Sequence, residues 1–167
     1  MRVDIEKHSV RVRRVPEFGI IDPDDKNGKL PAAIVYDKNS AKWNAVVHSN
    51  NREDYHFIPI DNNIDIVRCD FTSSDAKRCD AALYTDKTIC LIELKNQREN
   101  WLSNAIEQLE STIYNFGESF EKFRFKKAYV CNIAHPRSNY QISNSQSEFY
   151  KKHRFILRTK TDIDELN

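Results

Sequence analysis

Three charged residues stand at the ends of two short apolar runs in the segment KRCDAALYTDKTICLIELKN, residues 77–96. Asp80 opens the first run, and Glu93 and Lys95 close the second run. The polar residues 85–88 between the runs predict a β-hairpin turn. Antiparallel pairing across this turn puts Asp80 opposite Glu93, with Cβ atoms about 5 Å apart, and Lys95 on the same face. The spacing therefore predicts two carboxylates and an ammonium together at the open end of a hairpin.

Such a set of side chains has a definite chemistry. Two facing carboxylates repel each other unless a cation lies between them. Carboxylate oxygens, a main-chain carbonyl (here that of Leu94) and waters are the ligands that Mg²⁺ takes, and Mn²⁺ can replace it. The ammonium of Lys95 can hold an attacking water and offset negative charge on a phosphorane. A Glu-x-Lys on a strand often forms only a surface ion pair, but apolar residues flank this one. The segment therefore predicts a metal and water site.

The surrounding elements must hold that site in place. Residues 89–94 are apolar on both alternating faces, which is typical of a central strand covered by helices on both sides. The next segment, residues 100–116, predicts an amphipathic helix because its apolar residues recur every three or four positions. Further strands are predicted at 126–134 and 154–159, with a short helix at 147–153. The apolar stripe of the long helix consists of Leu102, Ile106, Leu109, Ile113 and Phe116.

The N-terminal part of the chain is rich in β-forming residues. An edge strand is predicted around Val10 and Val12, an exposed loop over 16–31, and short strands at 32–36, 43–48, 55–61 and 64–71. The fold class predicted for all 167 residues is mixed α/β in one domain, with a partly antiparallel sheet flanked by helices. We place the core at about 64–134, a β-rich extension at 1–63 and a basic part at 119–160.

The pattern D-x12-E-L-K, followed by an amphipathic helix, resembles the PD-(D/E)XK nuclease superfamily with its restriction-endonuclease-like core. The resemblance implies a helix, three antiparallel strands, a second helix and a further strand. It implies that Asp80 and Glu93 bind Mg²⁺ and that Lys95 assists the attacking water. Gln108 in AIEQLESTIY matches a glutamine that many members carry on this helix, and it also lies at the border of the predicted buried face.

Two features of the sequence depart from the family pattern. Cys79 stands where the family often has proline, at a position that is not a ligand. Many members also place a glutamate on a first helix, and no clear helix precedes the sheet here. The open candidates for that acid are Glu53, Asp54, Asp65 and Asp70.

The resemblance implies Mg²⁺-dependent hydrolysis of nucleic acid, with DNA as the first expectation, in restriction, repair or phage defence. Residues 119–160 carry ten Lys and Arg against two Glu, a balance of +8 in a chain of net charge +1. A basic surface of this kind can face phosphates. The alternatives are a non-catalytic binding module and an RNA-directed nuclease or toxin. A homodimer or a partner subunit is a further expectation. The basic residues that we expect at the nucleic acid are Lys126, Lys127, Lys151, Lys152 and Arg154.

Composition also suggests a compartment. No apolar run approaches the roughly 20 residues that span a bilayer, so no membrane is expected. Cys69, Cys79, Cys90 and Cys131 form no C-x-x-C pair, which favours free buried thiols in a reducing compartment. We therefore expect a cytoplasmic protein.

Overall fold

The computed structural model describes residues 4–23, 30–39, 42–49, 53–64, 77–134, 142–164 and 166. This part of the chain is mixed α/β, as predicted, and it starts with a 3₁₀ helix at Ile5–His8. The strands are β1 (Val10–Arg11), β2 (Glu17–Ile21), β3 (Ala33–Val35), β4 (Ala45–His48), β5 (His56–Pro59), β6 (Ala81–Tyr84), β7 (Thr88–Lys95), β8 (Phe125–Asn132), β9 (Ile156–Arg158) and β10 (Asp162–Ile163), and the helices are α1 (Trp101–Phe120) and α2 (Ile142–His153).

These strands form two sheets. The larger sheet has six strands in the order β1-β5-β6-β7-β8-β9. Its first four strands pair antiparallel, whereas β7, β8 and β9 run parallel. The smaller sheet has the order β10-β4-β2-β3. The segment predicted as an N-terminal extension contributes to both sheets, because β1 and β5 belong to the larger one.

The larger sheet is the middle layer of three. Along β7, Ile89 and Leu91 pack with α1, and Cys90 and Ile92 pack with the smaller sheet. All four side chains are completely buried. The prediction that this strand is covered on both faces is confirmed. The expectation that helices cover both faces is wrong, because one of the two covering layers is a sheet.

The predicted loop over residues 16–31 is wrong for Glu17–Ile21, which form the buried strand β2. Proline and glycine around this segment suggested a loop. Glycine is required at position 19 by packing, because the indole of Trp43 lies against it. A Cβ on Gly19 would be 2.2 Å from Trp43 Cδ2. Residues 24–29 lie outside the described residues.

Helix α1 is longer than predicted, and its buried face is rotated. Leu109 and Phe116 are buried, as the predicted stripe requires, but Leu102, Ile106 and Ile113 are only half-buried. The fully buried positions include Ala105 and Thr112 in their place. The rotation turns the side of the helix that carries Gln108 and Thr112 towards the sheet.

Other predicted elements have mixed outcomes. The edge strand at β1 and the strands β3 to β9 lie within about two residues of their predicted positions. Helix α2 begins five residues before the predicted start at 147, and β10 was not predicted. The strand expected at 64–71 lies, except for Ile64, outside the described residues. Cys79, Cys90 and Cys131 are buried free thiols, as predicted, and Cys69 lies outside the described part. No helix in the described ranges is long and apolar enough to cross a membrane.

Gly19→Ala should destabilise the protein strongly, because the added methyl group overlaps the Trp43 ring and must displace it or the strand. We expect a loss in the free energy of unfolding of about 3 kcal/mol or more, measured by chemical denaturation. Gly117→Ala is the matched control. A Cβ there meets nothing within 4 Å on the helix, so it should stabilise by about 0.5–1 kcal/mol. Equal effects of the two substitutions would contradict the packing argument.

Candidate active site

The β6–β7 hairpin has the predicted register. Ala81 pairs with Ile92 and Tyr84 pairs with Ile89. The Thr85 N–H donates to the Thr88 carbonyl at 2.9 Å and closes the turn. Continuing this register by one residue places Asp80 opposite Glu93.

The three predicted side chains therefore share one face. Glu93 and Lys95 alternate with Leu91 on the side of β7 that faces α1. Asp80 alternates with Ala82, which packs on the same side. The structure brings Asp80, Glu93 and Lys95 together at the end of the hairpin remote from its turn.

Asp80 is held from two sides at the start of β6. Its Oδ2 accepts a hydrogen bond of 2.6 Å from the Leu94 N–H, and its carbonyl accepts one of 2.9 Å from the Ile60 N–H on the β5 side. Burial raises the pKa of the Asp80 carboxyl to about 7. The Leu94 N–H and the Lys95 ammonium act in the opposite direction, whereas the nearby Asp22 and Asp61 add to the rise.

Glu93 is the most buried charged group of the site, with a relative exposure of 1%. Its Oε1 lies 2.7 Å from Lys95 Nζ. Its Oε2 is buried and has no hydrogen-bond partner in the described part of the chain. Burial raises the pKa of Glu93 well above its usual range, and the neighbouring Asp80 raises it further against the effect of Lys95. Two carboxyls thus compete for one ammonium in a poorly solvated position.

Helix α1 supplies the remaining contacts. Lys95 Nζ donates to Gln108 Oε1 at 2.5 Å, and Gln108 Nε2 donates to the Arg78 carbonyl at 3.2 Å. One turn later, the buried Thr112 hydroxyl donates to the Gln108 carbonyl at 2.9 Å and accepts from the Cys79 N–H at 2.8 Å. The helix is therefore hydrogen-bonded directly to the segment that leads into Asp80, and Gln108 reaches the site as predicted.

An open cavity of about 380 Å³ gives solvent access to Lys95 and Gln108. Arg78 and Asp61 form an ion pair of 3.2 Å at its wall, and Arg78 also donates to the Ile64 carbonyl. Sequence reasoning missed Asp61, Arg78 and Thr112. A signal for Asp61 existed, because it lies two residues after β5, the strand that pairs with β6. The remaining lining residues are Lys77, Asn104 and Glu107.

The candidate upstream acids do not join the described site. Asp54 accepts hydrogen bonds from Arg11 and Arg14, which lower the pKa of its carboxyl. Asp54 and Glu53 precede β5, whereas Asp80 adjoins the residue that follows β5. At about 3.3 Å per residue, the two ends lie roughly 20 Å apart. Asp65 and Asp70 lie outside the described residues.

The donor set available for a metal is small. Among the described residues, no group of three or more His, Cys, Asp and Glu side chains could hold a metal ion. The Leu94 N–H points towards Asp80. Because the N–H and the carbonyl of one strand residue point to the same edge of the strand, the Leu94 carbonyl also faces the β6 side. Two carboxylates and one carbonyl fit an ion that keeps several waters, as Mg²⁺ does. The unpartnered Oε2 of Glu93 fits such an ion too.

The basic residues predicted to contact nucleic acid lie elsewhere. Lys126 and Lys127 pair with Ile89 and Cys90 near the start of β7, whereas Lys95 ends that strand. Lys127 is buried, and Lys152 pairs with Glu110 of α1 at 2.9 Å. Lys151 and Arg154 lie at the C-terminal end of α2. The strand that follows, β9, begins beside Lys127 of β8. The structure therefore places this set at the opposite end of the sheet, roughly 20 Å from Lys95 at about 3.3 Å per residue.

Comparison with protein-family models, with curated proteins and with solved structures gives no match to this chain. Its function is therefore inferred from the site residues and their geometry.

Because the pKa of Asp80 is raised, the free energy of unfolding in the presence of a chelator should depend on pH. The folded protein binds a proton at Asp80 up to pH of about 7, and the unfolded chain only up to about 4. The free energy of unfolding should therefore fall as the pH rises through this window, by at most about 4 kcal/mol for this group. Asp80→Asn should remove much of that fall, measured by denaturant titration between pH 4 and 8.

Asp54→Asn is the control of opposite sign. The pKa of Asp54 is lowered, so its contribution is present at neutral pH and is lost only as the pH falls through that lowered pKa. This variant should keep the fall in stability between pH 4 and 7. If Asp80→Asn keeps the fall equally well, the Asp80 carboxyl is not protonated at neutral pH.

Proposed function

We propose that this protein is a Mg²⁺-dependent nuclease that hydrolyses phosphodiester bonds of nucleic acid, with DNA as the first substrate to test. A role in restriction, repair or phage defence is part of this proposal. The proposal rests on one observation above all. Asp80, Glu93, Lys95 and Gln108 meet at one end of the hairpin, and the last two line an open cavity. The Glu93 Oε2 is buried without a hydrogen-bond partner in the described part of the chain.

The order of elements supports this proposal. Strands β5, β6 and β7 are consecutive and antiparallel, α1 follows, and β8 then lies parallel to β7. This order agrees with three antiparallel strands, a helix and a further strand in the PD-(D/E)XK superfamily. The three-stranded unit begins at β5, earlier than the boundary expected near residue 64. A cytoplasmic location is part of the proposal, since free thiols persist in a reducing compartment.

Asp80, Glu93 and the Leu94 carbonyl would hold the ion. A bound divalent ion polarises a phosphoryl oxygen and lowers the pKa of its bound water. The two carboxylates would then face a cation, so their raised pKa values would drop and both groups would ionise. Metal affinity should consequently increase with pH up to about neutrality.

Lys95 is the residue suited to handle the nucleophile. Its ammonium has one contact to the Glu93 Oε1 and one to the Gln108 Oε1, and 12% of its side chain is exposed. An ammonium has three donors, so one remains for a water. Gln108 orients Lys95, since its own amide is fixed by the Arg78 carbonyl. The cavity is also lined by Lys77 and Arg78, which pair with Glu107 at 2.8 Å and with Asp61 at 3.2 Å.

Mg²⁺ or Mn²⁺ should raise the melting temperature of the wild-type protein by mass action, because only the folded state brings Asp80 and Glu93 together. Glu93→Gln should abolish this rise, since an amide lacks the charge that binds the ion. The measurement is thermal unfolding with chelator and with increasing metal. Asp54→Asn, which changes an acid far from the site, should respond to metal like the wild type. An equal response of Glu93→Gln would place the metal elsewhere.

Lys95→Ala should lower metal-dependent cleavage of plasmid DNA by two orders of magnitude or more, because it removes a positioned charge from the transition state, where single donors contribute about 10²–10³-fold. Lys38→Ala is the control, since Lys38 is exposed and pairs with Glu17 in the smaller sheet. It should cleave like the wild type. Parallel incubations with RNA distinguish the two nuclease alternatives. Wild-type protein that binds nucleic acid but cuts neither substrate with Mg²⁺ or Mn²⁺ would instead be a binding module.

A further inference from the structure

Among the basic residues described in 119–134 and 142–154, four side chains have no salt-bridge partner in the described part of the chain, namely Arg124, Lys126, Lys151 and Arg154. They lie at the end of the larger sheet remote from Lys95, where β8 and β9 begin and α2 ends. Neighbouring cations at this end are neutralised, because Lys122 pairs with Glu6 and Lys152 with Glu110. We call the four unpaired residues, with the two rings described next, the distal surface.

Two aromatic rings at this end of the sheet are exposed. Phe125 is 41% exposed and Tyr150 is 46% exposed. The Arg124 guanidinium lies 5.2 Å from the centroid of the Phe125 ring, and that of Arg154 lies 5.8 Å from the centroid of Tyr150. A large ring left at the surface forgoes the free energy of burial. Each of these two rings lies beside an arginine.

The backbone at Arg154 supports a functional role for this residue. Arg154 follows α2 with φ 63°, and its N–H donates to the Tyr150 carbonyl at 2.8 Å, which ends the helix. This left-handed conformation favours glycine over residues with a Cβ. An arginine at this position keeps a positive charge over Tyr150 in a conformation that stability alone would give to glycine.

We propose that the distal surface binds single-stranded nucleic acid, with the four cations on phosphates and with Phe125 and Tyr150 stacking on bases. Binding of single strands typically combines a positive surface with exposed aromatic rings. An acidic protein would use the charges but would not need two exposed rings among them. The distal surface binds without any cleavage at the Lys95 site, so it does not depend on the proposed nuclease activity.

This set differs from the basic residues that sequence alone singled out. Lys127 drops out because it is buried, and Lys152 drops out because Glu110 neutralises it. Arg124 joins, together with Phe125 and Tyr150. The difference between Lys151 and Lys152 gives a sharp comparison, since these neighbours carry the same charge and are both exposed on α2.

The test measures binding of labelled single-stranded DNA and RNA of about 12 nucleotides by fluorescence anisotropy in a metal chelator. Wild-type protein should bind, and the slope of log affinity against log salt should fall by about 0.7 for each cation lost from the surface. Lys151→Ala should show this decrease, and Lys152→Ala should not. Arg154→Gly should flatten the slope equally while keeping or raising the melting temperature.

Aromatic substitutions separate stacking from simple charge attraction. Phe125→Leu and Tyr150→Leu should each weaken binding about five-fold or more, corresponding to the loss of a base–aromatic contact of about 1 kcal/mol. The salt slope should stay unchanged in both. Heparin and polyglutamate should bind equally well to wild type and to these variants. The proposal is overturned if single strands do not bind, if Lys151→Ala and Lys152→Ala behave alike, or if the aromatic variants keep full affinity.

Discussion

The enforced proximity of two carboxyls in a poorly solvated position is the constraint on which the site depends. Glu93 cannot turn to water, because β7 is covered by α1 on one face and by the smaller sheet on the other. Asp80 cannot retreat, because main-chain hydrogen bonds at Leu94 and Ile60 hold it. One ammonium offsets only part of their repulsion. A further positive charge between these rigid strands, whether a proton or a metal ion, therefore stabilises the folded protein.

The hairpin could be predicted from sequence because its determinants are local. A polar turn and the alternation along two strands fix the register, and a slip by one residue would expose every buried side chain. The strand β2 could not be predicted, since the reason for Gly19 is the ring of Trp43, more than 20 positions away. Similarly, the rotation of α1 reflects the buried hydrogen bonds of Thr112 to Cys79 and Gln108, which apolar periodicity does not register.

The charged residues illustrate a second limit of sequence reasoning. The parallel strands β7 and β8 both begin at one end of the sheet and finish at the other. A residue at the start of β8 therefore lies far from a residue at the end of β7. Lys126 lies near the start of β8, far from the carboxylates, whereas Asp61 and Arg78 line the cavity beside Lys95 although they come from separate chain segments. Composition identified the basic third of the chain, but only the ion pairs of the described residues show which of its charges are neutralised.

The order in which the two sheets close has a consequence for folding during synthesis. β10 pairs with β4, so Ile163 completes a sheet whose other three strands all precede residue 49. The six-stranded sheet is synthesised before β10, and until then one edge of β4 lacks its partner strand. The apolar face around Val47 is meanwhile open to other nascent chains. Contacts this distant in sequence also close slowly. Chaperone demand during translation should therefore arise mainly from the smaller sheet, although the candidate active site lies in the larger one.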